Sequence, residues 1–270
     1  MGERDAVDKT YQDFLSNATK EEIDILTNEV EPQQTEFDNL YLQYDLTMWE
    51  SFKALHQKVN SYSKSRESIK HYWKNVIVNS GVLKKIGSTS TDLVVLDYLK
   101  DVRLSGFNQI VTPDLVVGDK KRLRVGYTLN FIFEENEWFP DIELSKKISY
   151  LYNDTYTCGK LVNSGVVFYD GKVPKFVDST ESSFFDFFEP VNQKEEYSVS
   201  EEGDEIEETV DEQLRSVFYF ANDIIPNSLY FLRNQMDKYD DSEMTDSDED
   251  TDDSDQDDSE DYEELIDEDN

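Results

Sequence analysis

The chain has 270 residues and a formal charge of −35, with 26 basic against 61 acidic side chains, so its field repels phosphate backbones and anionic lipid and attracts basic partners. That length suits one main core, with or without an arm, rather than several domains. The lone cysteine, Cys158, excludes an intrachain disulfide, and no apolar run approaches the roughly 20 residues that cross a bilayer.

At the start, Met1 is not followed by a charged and then apolar leader, and a myristoylation signal on Gly2 would need Ser or Thr where Ala6 stands. The chain is expected to be soluble and intracellular, so the sequons at Asn17 and Asn153 carry no weight. After an N-terminal segment of residues 1–19, Ile23, Leu26, Val30, Phe37, Leu40, Tyr44, Met48, Phe52, Leu55, Val59 and Tyr62 recur at threes and fours, which predicts a long helix over 20–64. Pro32 marks a start or a kink in it. From Gln33 to Lys64 there is no Gly or Pro, and a helix of about 48 Å outreaches a small domain. Its seam therefore needs a partner, most simply a second copy of itself through Phe37, Leu40, Tyr44, Met48, Phe52, Leu55 and Val59, with a heptad that slips between Tyr44 and Phe52.

A lobe of residues 65–238 follows. Ile69, Tyr72, Trp73, Val76 and Ile77 predict a helix stopped at Gly81, and Thr89 with Asp92 resembles a capping box before the apolar run Leu93 to Leu99. Val125, Tyr127, Leu129, Phe131 and Phe133 alternate as a half-buried strand, and Ile142, Leu144, Ile148, Tyr150 and Tyr152 repeat the pattern with Lys146 as the exception, so the two predict a hairpin across EENEWFPD. A second hairpin is expected at 165–176 on the turn dipeptide Asp170-Gly171, with Pro174 at an edge. Phe184, Phe185, Phe187 and Phe188 predict a short helix closed by Pro190. Ile206, Val210, Leu214, Val217, Phe218, Ala221, Ile224 and Ile225 form a stripe that covers one face of the sheet. The fold class is α+β: a long helix, an antiparallel sheet and helices packed on it.

Acidity is concentrated in two blocks. Residues 195–212 hold ten acids and no base, and 241–270, within a disordered tail expected over 239–270, hold eighteen acids and no base, leaving −7 on the rest. Asp246, Asp248, Asp250 and Asp252 fit the odd positions of a calcium loop, but Thr251 replaces its Gly and Asp257 its bidentate Glu, so only weak, unselective cation binding is expected there. His56 and His71 lie at no ligand spacing from each other or from Cys158, so neither a zinc site nor any cofactor is expected. No phosphate loop, nucleophile elbow or Cys-His arrangement is present, and the chain is not expected to be an enzyme. The basic cluster Lys120, Lys121, Arg122 and Arg124 reads as a nuclear import signal or a phosphate contact, or as the solvated start of a strand. Thr245, Ser247 and Ser254 each precede an acid by three residues, which suits an acidophilic kinase; each phosphate would add roughly −1.5 to −2 to a tail already near maximal, so a modest effect is expected.

Five stretches resemble, in order and spacing, the motifs of nucleosome assembly proteins: YWKNVIVNSGVL from Tyr72, LDYLKDVRL from Leu96, GYTLNFIFEENEWF from Gly126, SSFFDFFEP from Ser182 and ANDIIPNSLYFL from Ala221. The short form with an acidic tail is most similar to SET-type members, and the resemblance covers about residues 20–238. It implies a histone chaperone working without ATP, an earmuff-shaped homodimer joined by its long helices, and binding of core histone dimers and tetramers, and of linker histone, on an acidic underside aided by the tail. Carried over by position, the implied histone contacts are Asp211, Glu212, Asp223 and Asp237, joined by Glu201, Glu202, Asp204, Glu205, Glu207 and Glu208 of the acidic loop. Pro32, the slipped heptad, Trp138, Pro140 and a short loop between the hairpins depart from the family pattern. Nucleus and cytoplasm are the expected locations; neither a membrane nor strong direct DNA binding is expected. The alternatives are a SET-like inhibitor of a phosphatase or of histone acetylation, and an acidic cation-buffering protein.

Overall fold

A helical stretch at 11–17 and then one long unbroken helix precede the lobe in the computed structural model, which describes residues 11–113, 120–153, 160–173, 182–190 and 213–236. Lys20–Ile25, Leu26–Val30 and Glu31–Asn60 follow one another in right-handed helical backbone and together form α1, about 60 Å long. Thr19 caps its start reciprocally with Glu22. Leu26–Val30 is a π-helical turn. Pro32 has no N–H for the carbonyl four residues back and its ring crowds that carbonyl, so the chain widens by one residue and Glu31 donates to Leu26, five back. The expected start or kink at Pro32 is thus a bulge within a continuous helix. The helix stops at Asn60, short of Lys64, which belongs to the next helix, α2 (Ser63–Glu67).

Three short helices lead to the sheet. α3 (Tyr72–Ser80) ends on Gly81 at φ 78°, the left-handed position its sequence marks. α4 (Leu83–Ile86) is followed by α5 (Ser90–Val95), where both arms of the Thr89–Asp92 capping box are formed. A 3-10 turn, Leu96–Tyr98, passes into an antiparallel meander of β1 (Leu99–Pro113), β2 (Lys121–Phe133), β3 (Glu143–Leu151) and β4 (Lys160–Asn163). The β2–β3 hairpin is antiparallel as expected, and its register sets Phe131 opposite Leu144 and Tyr127 opposite Ile148. β1 is absent from the sequence expectations because bulges at Leu99/Asp101 and Ser105/Asn108, the second holding Gly106 at φ 62°, break its two-residue period.

The hairpin expected at 165–176 is corrected. Residues 164–169 form no ladder; Val166 and Phe168 pack into the core, and the Tyr169 amide donates to the Trp138 carbonyl at 2.8 Å, so the segment docks on the β2–β3 connection. Asp170-Gly171 does make its turn, closed by Lys172 N–H to the Tyr169 carbonyl at 2.9 Å, whereas Pro174 lies outside the described residues.

One face of β2 organises the core. Phe131 meets Phe184, Phe187, Phe188 and Phe220 edge to face, at 5.1 to 6.3 Å between ring centres. The first three belong to the 3-10 turn Phe184–Phe188, whose four phenylalanines are all buried. The closing helix α6, described from residue 213, buries Leu214, Val217, Ala221, Ile224 and Ile225 as its stripe requires, while Ile206 and Val210 lie outside the described residues. It ends in a second π turn, Phe220–Ile224, followed by Pro226 at the same spacing as Pro32, and then α7 (Ser228–Leu232).

Buried polar groups tie distant segments together. Asp92 accepts from the Thr89 amide at 2.7 Å, from Ser183 Oγ at 2.9 Å and from the Phe184 amide at 3.0 Å, joining the α5 cap to the Phe-rich turn. Asp92→Ala leaves two buried amides without acceptors and is expected to cost about 3 kcal/mol in urea denaturation. Lys146, the odd residue on its strand face, is fully buried: its Nζ donates to Gln213 Oε1 at 2.6 Å and Asn163 Oδ1 at 3.1 Å and lies 4.0 Å from the centre of the Phe187 ring. Burial lowers its ammonium from 10.5 to about 6. Between those values the unfolded chain holds a proton that the folded chain has released, so stability rises with pH across the window. Lys146→Met is expected to abolish that rise and to raise stability most near pH 6, as read by urea midpoints at pH 6 and 9.

Candidate functional site

The apolar residues of α1 fall on two faces. Toward the lobe, Leu42, Trp49 and His56 are buried, and Phe52 and Val59 are half-buried against the core. Outward, Phe37, Tyr41, Tyr44, Met48 and Leu55 are exposed at steps of four, three, four and seven. This outer seam keeps its heptad once Phe52 is assigned to the other face; the expected slip came from merging two stripes into one. Of the residues expected at a dimer contact, Phe37, Leu40, Tyr44, Met48 and Leu55 are exposed, Leu40 at 65%, whereas Phe52 and Val59 turn to the lobe. His56 is enclosed, its ring 4.5 Å from that of Phe52, and burial lowers its imidazole to about 4, so it stays neutral near pH 7. Among the described residues no group of His, Cys, Asp and Glu could hold a metal ion.

Exposed carboxylates gather in two described places. Glu21, Glu22, Asp24, Glu29, Glu31 and Glu36 line the N-terminal part of α1, where Lys20 is the only base. Glu134, Glu135, Glu137, Asp141 and Glu143 crowd the β2–β3 connection; Lys100 reaches Glu134 at 3.4 Å and Lys172 reaches Glu137 at 2.5 Å, while Glu135, Asp141 and Glu143 have no cation partner among the described residues. This second cluster escaped the sequence expectations, in which EENEWFPD counts only as turn chemistry, although its acid density was there to be seen. Asp223 stands half-buried in the π turn of α6, its carboxyl pushed up by burial. Asp211, Glu212, Asp237, Glu201, Glu202, Asp204, Glu205, Glu207 and Glu208, and Thr245, Ser247 and Ser254, lie outside the described residues. The basic cluster opens β2 beside α1: Lys120 lies 3.6 Å from Asp38, and Arg122 acts on Asp45.

Near the anchored part of α1 lies a cavity of about 240 Å³, walled by Trp49, Phe52, Tyr150, Tyr152 and Phe218 with the exposed Asn153 and Asn222. Tyr150 and Phe218 stand edge to face at 5.0 Å, and Trp49 stacks on Phe52 at 5.4 Å. Asn153, at φ 63°, donates from Nδ2 to Asp45 Oδ1 at 2.6 Å. Asp45 is 8% exposed, and its carboxyl is raised by burial, against the hydrogen bond from Asn153 and the charge of Arg122.

A long helix carrying an outer seam, followed by an acidic α+β lobe, defines an architecture shared with solved structures. The Plasmodium knowlesi Nucleosome Assembly Protein 1 matches with a TM-score of 0.59 and 16% identity, over 82% of this chain and all of that one. The malaria parasite nucleosome assembly protein matches at 0.58 and 16%, over 82% and 100%, and a Plasmodium falciparum nucleosome assembly protein at 0.56 and 16%, over 81% and 100%. No curated protein matches the chain. The sequence profile of the nucleosome assembly protein family matches residues 2–173, and the chain belongs to that family.

Proposed function

We propose that the chain is a histone chaperone, a non-enzymatic acidic homodimer that takes up basic core histones and yields them to DNA. The observation that carries this reading is its membership of the nucleosome assembly protein family, and the charge of −35 supplies the physics. Carboxylates stand in for DNA phosphates toward the basic histone surface, screening it over about 8 Å at physiological salt, and transfer follows from relative affinity without nucleotide hydrolysis. The acidic surfaces of α1, the β2–β3 connection, the 195–212 block and the tail share this work, with the lobe holding and the tail assisting. Chromatin, and so the nucleus, is the place of action.

Dimerisation is assigned to the outer seam of α1. Tyr44→Glu with Met48→Glu is expected to weaken self-association by at least about 1,000-fold, since two apolar side chains of about 2 kcal/mol each lose their burial in each protomer. Analytical ultracentrifugation reads that loss, and an unchanged near-UV circular dichroism spectrum shows that the lobe still folds. For the function itself, core histones are titrated at physiological salt with DNA as competitor, comparing the full chain with one ending at Asp240. The lobe-centred reading expects the shortened chain to keep most of its affinity and to deposit histones on DNA. Collapse of binding would move the site to the tail, and failure of both chains to bind would overturn the chaperone reading.

A further inference from the structure

We propose that the aromatic cavity beside α1 is a binding site for a quaternary ammonium group, the chemistry presented by a methylated lysine side chain or by choline. Aromatic faces attract a desolvated cation through their quadrupoles, and a methylated ammonium suits such walls because it brings few or no N–H groups that need acceptors. Trp49, Tyr150, Tyr152 and Phe218 come from separate parts of the chain, so aromatic residues line the cavity on more than one side. A patch of core left incompletely filled would have only apolar surroundings; this one has a carboxylate one hydrogen bond away.

That carboxylate is Asp45. It accepts the 2.6 Å hydrogen bond from Asn153, and the charge of Arg122 also acts on it. Asn153, which lines the cavity, donates one amide N–H to Asp45 and so links the cavity wall to that carboxylate. A cation in the cavity would lie one hydrogen-bonded side chain away from the Asp45 carboxylate, and the volume of about 240 Å³ has room for methyl groups.

The site stands apart from the histone reading, because its simplest probe is a small molecule. Choline and its neutral isostere 3,3-dimethylbutanol are titrated into the full chain while the Trp49 indole resonance is followed by NMR. Choline is expected to give a saturable shift and to bind at least about fivefold more tightly than the isostere. Asp45→Asn, which keeps a polar partner for Asn153, is expected to remove most of that preference, and Tyr152→Leu to weaken choline about as much, with thermal melts showing that both variants fold. In a second arm, a lysine-rich peptide with one trimethyllysine is compared with its unmodified form and with choline. Tighter binding of the methylated peptide assigns the site to a modified polypeptide, and tighter binding of choline assigns it to a small ammonium; both support the site. Equal shifts from choline and dimethylbutanol, or no saturable shift at Trp49, would overturn the proposal and leave histone binding by the acidic surfaces untouched.

Discussion

Trp49 is the pin from which the long helix hangs. It is 1% exposed and stacks over Tyr127 of β2, with ring centres 6.5 Å apart and planes 24° from parallel, while Phe52 and His56 close in from the next turns. N-terminal to Leu42 no described residue of α1 is buried. Among the described residues the helix is anchored at one end only, and its side chains divide accordingly: an inner face spaced for the sheet, an outer apolar seam, and carboxylates on the part that meets no other described element. The lobe is built to receive the pin. Tyr127 sits on the same face of β2 as Phe131, so one strand carries both the helix and the phenylalanine cluster.

The interior of the lobe is less apolar than its composition suggests. Asp92, Asp101 and Lys146 are each wholly buried and each joins segments far apart in sequence. Asp101 accepts from Ser63 Oγ at 2.7 Å and from the Trp73 indole at 3.1 Å, with Arg66 at 3.8 Å, so β1, α2 and α3 share one carboxylate. Satisfied networks of this kind specify one packing among many apolar alternatives, because any other leaves a buried charge without partners. Placing these few ionisable groups inside, in a chain with such an excess of acid, also separates structural carboxylates from those on the surface.

What the sequence made legible was whatever kept a clean period or a local signature. The β2–β3 hairpin, the Gly81 stop, the Thr89–Asp92 cap and the α6 stripe depend on neighbours within a few residues and can be read in one dimension. β1 could not be, since two bulges shift its phase and its inward positions include Asp101 as well as Val102 and Leu104. In α1 the length was visible and the division of labour was not: Phe52 and Leu55 are equally apolar on paper, and only the sheet decides which turns inward. For the surface, charge blocks announced acidity without geometry, and the aromatic cavity gave no sign at all, because its walls come from residues 49 to 52, 150 to 153 and 218 to 222.

The π turn at Leu26–Val30 has a consequence for how the free end of the helix is aimed. One extra residue advances the screw by about 100° relative to an unbroken α-helix. The carboxylates of Lys20–Ile25 are therefore out of phase with those that follow Pro32, like two lengths of threaded rod joined with a quarter turn of slip. A surface that grips the first length approaches from a different compass bearing than one lying along the outer seam, so the two lengths of one rod present themselves in different directions.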